Sequence, residues 1–132
     1  MRKIILDTNF LLIPLQFRVD IFSELNRICN FNYKIFIFEQ TINELKNIME
    51  KQKGADKKAA QFALKLVKLK NIGIIKSGET DVDKLILESA SNDTITATQD
   101  IKLKKQLLEK GASVIILRQK KYLQFVKNYN YK

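Results

Sequence analysis

Five short apolar runs, rich in β-branched and aromatic residues, alternate with segments of helical periodicity, and that alternation limits the chain to few folds. The runs are residues 3–6, KIFIF at 34–38, IGIIK at 72–76, TITAT at 94–98 and SVIIL at 113–117. Between them, apolar residues recur at helical spacing from Ile21 to Cys29, from Ile42 to Met49, from Ala59 to Val67, from Val82 to Ala90 and from Leu103 to Leu108. The third helix is expected to start near Gly54 and the fifth to close at Gly111. KQKGADKK at 51–58 reads as an exposed turn between two helices. Strands separated by helices pair in parallel, and near-continuous apolar strands are buried on both faces. The expected fold is α/β: a central, mostly parallel five-stranded sheet between two helical layers.

With 132 residues, four glycines, one proline and no linker-like stretch, the expectation is one domain over 1–132. A basic C-terminal segment, 118–132, closes it. Arg2 and Lys3 precede an apolar run, but Asp7 interrupts it where the core of a secretory signal would lie. The run is also too short to span a bilayer. The lone Cys29, at an apolar helical position, reads as a small core residue, and a reducing cytoplasm is the expected location.

The absence of histidine removes the Ser-His-Asp triad, the Cys-His pair and two-histidine ribonuclease chemistry. One cysteine without histidine removes a structural zinc site. A hydrolase built from this chain must work with carboxylates, and carboxylates take hard metal ions.

Four acids stand where such chemistry would be placed. Asp7 ends the first apolar run, although a buried, unpaired carboxylate is costly. Glu44 lies early in the helix after the second strand, Asp83 in the first turn of the helix before the fourth strand, and Asp100 just after that strand. In a parallel sheet these places share the carboxyl edge, where α/β folds build their sites. Each of the last three also fits a helix cap. TINE at 41–44 matches a capping box with Thr41 as cap, TDVD at 80–83 matches one with Thr80 and Asp83, and Asp100 is a natural N-cap. Asp7 fits that reading least, since Thr8 and Asn9 follow it and could cap instead. Carboxylates that converge repel one another unless a cation neutralises them, and Mg²⁺ or Mn²⁺ suits an oxygen-only cluster.

The net charge is +10, unevenly spread. Residues 101–132 hold nine Lys/Arg against one acid, Glu109, whereas residues 1–100 hold fifteen against thirteen. Such a tail suits a polyanion, nucleic acid before membrane; it suits a solvated surface equally. Lys102, Lys104 and Lys105 on the last helix and Arg118, Lys120 and Lys121 after the fifth strand are the expected RNA contacts. Tyr122 and Phe125 interleave with them and could stack on bases, although Phe125 also fits a core position.

ILDTNFLLIP resembles the opening motif of the PIN-domain ribonucleases, TINELKNI the second, DVDKLILESA the third and TATQDIKLKKQLLEKG the fourth. The resemblance spans nearly the whole chain. It implies an endoribonuclease that cuts a phosphodiester with metal-activated water, leaving 3′-hydroxyl and 5′-phosphate ends. Asp7, Asp83 and Asp100 would hold Mg²⁺ or Mn²⁺, Glu44 would complete the shell or orient water, and Thr8, Asn9 and Thr98 would support them. Lys84 follows Asp83 where a second acid is frequent, so Asp81 stands as an alternative to Asp83, and Gln99 stands where the fourth motif often carries another polar or acidic residue.

Within the family, DTNFLLIPLQFRVDIFSEL and VIILRQKKYL look closest to an archaeal group related to the eukaryotic endonuclease of small-subunit rRNA processing. The expected partner is therefore RNA, in particular rRNA or its precursor; a homodimer is compatible with it. VapC-type toxins share the catalytic pattern but usually lack the Arg-Gln-Lys-Lys segment. Two readings from other classes stay open: a non-catalytic RNA-binding assembly factor that keeps the acids as caps, and, ranked last, a signalling domain with a phospho-accepting aspartate.

Overall fold

The structure is a computed structural model and describes residues 1–78, 81–91 and 93–126. β1 (Arg2–Leu6) enters a 3-10 turn (Thr8–Leu12), then α1 (Ile13–Phe17) and α2 (Ile21–Ile28). β2 (Tyr33–Phe38) runs directly into α3 (Glu39–Lys51), and α4 (Ala55–Leu69) leads to β3 (Gly73–Ile75). α5 (Val82–Ser89), β4 (Thr94–Ala97), α6 (Ile101–Glu109), β5 (Ser113–Arg118) and β6 (Tyr122–Val126) follow. Thr80 of the expected capping box and residues 127–132 of the basic segment lie outside the described residues.

The sheet order is β3-β2-β1-β4-β5-β6. The five expected runs form its parallel part, with β1 central between β2 and β4. Strand order reverses at the β1–β4 junction, which opens a crevice at the carboxyl edge. The register there pairs Leu6 with Ala97, so the residues just beyond each, Asp7 and Thr98, emerge side by side.

Helices cover both faces. Ile4, Leu6, Ile37 and Ile115 pack with Ile13, Leu25, Leu45 and Ala63 on the side of α1–α4. Ile5 and Val114 pack with Leu85, Ile86, Leu103 and Leu107 on the side of α5 and α6. Alternate β1 residues thus serve opposite layers, as the two-residue period of a strand requires. Cys29 is buried at the end of α2, as expected of a core residue. Among the described residues no helix is long and apolar enough to cross a membrane.

The sheet has six strands, one more than expected. β6 runs antiparallel to β5, with Arg118 opposite Tyr122 and Ile115 opposite Phe125. A tight turn joins them, closed by Lys121 N–H donating to Arg118 C=O at 3.0 Å. Both central residues, Gln119 and Lys120, have positive φ (52° and 56°). Such turns favour Asn and Gly, so a Gln-Lys pair carries no hairpin signal. α2 anchors the new strand. Glu24 accepts from Leu123 N–H at 2.9 Å, and Arg27 donates to Leu123 C=O at 3.2 Å while pairing with Glu24.

Candidate active site

β1 delivers Asp7 to the crevice with 5% of its surface exposed. Its N–H donates to Ala97 C=O at 2.9 Å, extending the β1–β4 ladder by one residue. One carboxylate oxygen, Oδ1, accepts from Thr8 N–H at 2.8 Å and caps the 3-10 turn. Asp7 therefore takes the capping place that Thr8 or Asn9 could have filled, because its extended backbone leaves Oδ1 above the turn's first N–H. Oδ2 accepts from Thr98 Oγ1 at 2.7 Å. Burial pushes the Asp7 carboxyl from 3.8 up to about 6. The Thr98 and Thr8 hydrogen bonds pull it down, and the charges of Asp83 and Glu44 push it further up. Desolvation wins, at a cost of about 3 kcal/mol for the charged form. Ile4, Ile5 and Leu6 beside it are almost completely buried, and each contributes about 1.5–3 kcal/mol, so the strand tolerates its charged end.

Glu44 is not a cap. Because β2 feeds straight into α3, the helix begins at Glu39, with Phe38 in the capping place and no side-chain cap. Thr41 and Glu44 therefore lie inside the helix, one turn apart on one face. Thr41 is fully buried. Thr8 Oγ1 donates to Glu44 Oε1 and shares a 3.2 Å hydrogen bond with Thr41 Oγ1. Burial raises the Glu44 carboxyl, Thr8 lowers it, and Asp83 and Asp81 raise it. Asn9 is a staple between loops: its Oδ1 accepts from Gln99 N–H at 3.1 Å, and its C=O accepts from Gln99 Nε2 at 2.9 Å.

The other acids line a cavity of about 310 Å³ between α5 and α6, with Asp81, Asp83 and Asp100 beside Lys84 and Lys102. Asp81 caps α5, accepting from Asp83 N–H at 3.0 Å. The cap of α5 is thus Asp81, whose extended backbone sets it one residue before the helix. Asp83, in the first turn, has its carboxyl raised by burial and then by Asp100 and Asp81, while Lys102 lowers it. The charge of Asp83 reaches both Asp7 and Glu44, and that of Asp81 reaches Glu44, so the two groups of acids share one field. Asp100 caps α6 by accepting from Leu103 N–H at 3.1 Å, and its own N–H donates to Thr98 Oγ1 at 3.0 Å.

Among the described residues no three of these side chains are arranged to hold one ion. The donor set nonetheless suits a hard cation: all donors are carboxylate oxygens, and the charges of neighbouring acids push up the Asp7, Glu44 and Asp83 carboxyls.

A sequence profile of the PIN-like domain matches residues 4–120. The chain belongs to the PIN-like domain family. Among its curated relatives is Ribonuclease VapC4 of Methanocaldococcus jannaschii, 33% identical over 128 residues, which cover 94% of this chain and 96% of that protein. Among solved structures, the PIN domain endonuclease Utp24 matches with a TM-score of 0.78 at 19% identity, over 95% of this chain and 91% of that one. A domain of a functionally unknown Methanocaldococcus jannaschii protein matches with a TM-score of 0.59 at 18% identity, over 89% and 92%.

The basic residues of this PIN-like domain divide around the start of α6. Lys102 faces the acidic cavity. Lys104 and Arg118 line a second cleft of about 410 Å³, together with Thr98, Gln99 and Ile101. Lys120 sets its ammonium over the Phe17 ring, 5.8 Å from the centroid. Lys105 and Lys121 are exposed and line neither cavity. Tyr122 is half-buried at the start of β6. Phe125 packs against Phe31 in the core, at the amino end of β1 and β5 and away from the acids, which settles its place as a packing residue. Thr41 and the Asn9–Gln99 staple were not legible beforehand. Thr41 sits one helical turn before Glu44, and that spacing was the available signal.

Proposed function

We propose that this PIN-like domain is a metal-dependent endoribonuclease that hydrolyses RNA phosphodiester bonds. The observation that carries the reading is the buried Asp7 carboxylate, fixed at the sheet's carboxyl edge within the field of Glu44 and Asp83. Kinship with Ribonuclease VapC4 supports it.

Asp7, Asp83 and Asp100 would hold the cation. Mg²⁺ or Mn²⁺ supplies charge neutralisation at the scissile phosphate and acidifies the attacking water. The Thr98 hydroxyl aims Asp7 and supports the Asp100 backbone, so one side chain sets two ligands. Thr8 holds Glu44, which feels the charge of Asp83 and would complete the shell or orient water. Asn9 locks the loop carrying Thr98 and Asp100 to the loop carrying Asp7. Basic residues on α6 and the hairpin oppose the repulsion between the carboxylates and RNA.

The substrate we propose is rRNA or its precursor, acted on in the cytoplasm, on the sequence's likeness to the archaeal rRNA-processing group. A VapC-type toxin is the second reading, favoured by the 33% identity to Ribonuclease VapC4. Incubation of the purified chain with single-stranded RNA and Mn²⁺ should yield 5′-phosphate products that chelation or Asp7→Asn abolishes. RNA binding without any cleavage would overturn the nuclease reading in favour of an assembly factor. Growth arrest on expression, absent in Asp7→Asn, would mark a toxin; accumulation of rRNA precursor on depletion would mark a processing enzyme.

A further inference from the structure

The cleft between the start of α6 and the β5–β6 hairpin has no part in holding the acids, yet it begins at one of their supports. At about 410 Å³ it falls in the range of small-ligand sites. Thr98 lines it, and the same hydroxyl donates to Asp7, so the cleft opens one side chain away from that carboxylate. Asp83 and Asp100 lie in the other cavity, across the start of α6.

The walls combine three kinds of group. Lys104 and Arg118 are cations with no ion pair or ring contact among the described residues, unlike Lys120 over Phe17. Ile101 exposes 76% of its surface, an apolar face offered to solvent at the cleft's rim. Gln99 and Gln119 contribute amides. The Gln99 amide is oriented, since its Nε2 donates to Asn9 C=O, which leaves Oε1 for an incoming donor. Cations for phosphate, an apolar face for a base and an acceptor for a base edge together match one nucleotide.

We propose that this cleft binds one unpaired ribonucleotide of the substrate, next to the nucleotide whose phosphate lies at the carboxylates. The proposal rests on the ribonuclease reading. Lys104 and Arg118 take the phosphate, and Ile101 packs on the base. A base within an A-form duplex is stacked and cannot enter, so the cleft selects single strands and loops over stems.

The test uses the full chain in the Asp7→Asn background, with a short labelled single-stranded oligoribonucleotide and its duplex as probes. Replacing both Lys104→Gln and Arg118→Gln should weaken single-strand binding about tenfold or more at moderate salt and lower the salt slope by about 1.4, for two lost phosphate contacts. Ile101→Ser should weaken single-strand binding about threefold, leaving the salt slope and duplex binding unchanged. Ile101 is exposed, so that variant folds. If the parent binds and the wild type cleaves RNA but neither variant alters single-strand binding, the cleft is not a nucleotide site and the nuclease reading stands. If the wild type neither binds nor cleaves RNA, both fall.

Discussion

The Thr98 hydroxyl donates to Asp7 Oδ2 at 2.7 Å across 91 residues of sequence, and the same oxygen accepts from Asp100 N–H. Its bond to Asp7 favours the charged carboxylate against the pull of burial. Thr98→Val keeps the shape and removes the donor. The Asp7 carboxyl should then rise above about 6, and the acidic limb of the pH–activity profile should move to higher pH. Loss of activity at all pH values, with no shift of the limb, would count against this role. The variant should also lose about 1–3 kcal/mol of stability, because Asp100 N–H is left without its acceptor.

Asp7 itself makes stability depend on pH. Its carboxyl binds a proton more tightly in the native chain, at about 6 against 3.8 for the ordinary group. Protonated Asp7 therefore adds about 3 kcal/mol below 3.8, and this is lost as pH climbs through 3.8 to about 6. Glu44 and Asp83 shift in the same direction. In metal-free buffer Asp7→Asn should melt several degrees above the parent at neutral pH and show a flatter stability profile between about pH 4 and pH 6. Thermal melts across that range decide it.

At Asp100 the cap and the proposed ligand can be separated. Asn still caps α6, so Asp100→Asn should keep stability within a few tenths of a kcal/mol, while Asp100→Ala should lose about 1 kcal/mol. RNA cleavage should fail in both. An Asp100→Asn chain that cleaves at the parental rate would leave Asp100 as a cap alone.

The hairpin tip offers a stability test that spares RNA binding. Gln119 and Lys120 hold positive φ, which costs each about 1 kcal/mol relative to residues suited to it. Lys120→Gly, which leaves the cleft residue Gln119 in place, should raise the Tm, since relief of the positive φ exceeds the exposed Lys120–Phe17 contact. The ammonium of Lys120 lies over Phe17 and not in the cleft, so single-strand affinity should fall less than threefold or so. A larger fall would assign Lys120 to the RNA.

Much of this site is local in origin, and that part was legible. Asp7 interrupts an apolar run, and the alternation of strands and helices is enough to direct the acids to the carboxyl edge. The capping box at Thr41–Glu44 misled because four-residue spacing cannot reveal where a helix begins; the direct passage from β2 into α3 moved both residues into its interior. β6 escaped because its turn uses no glycine or asparagine. The union of Lys104 with Arg118 depends on how α6 lies against β5, which no local pattern encodes.

The central place of β1 also orders events during synthesis. Its neighbour β4 is paired at Lys3–Thr94 through Leu6–Ala97, so the first strand to leave the ribosome waits for most of the chain before its second edge is filled. Such distant pairing is slow to form. Until Thr98 arrives, Asp7 has neither its hydroxyl partner nor Asp100 nearby. On the proposed ribonuclease reading, a nascent or truncated chain leaves the RNA that surrounds it intact, because the cutting centre assembles only once Thr98 and Asp100 have been translated and folded against β1.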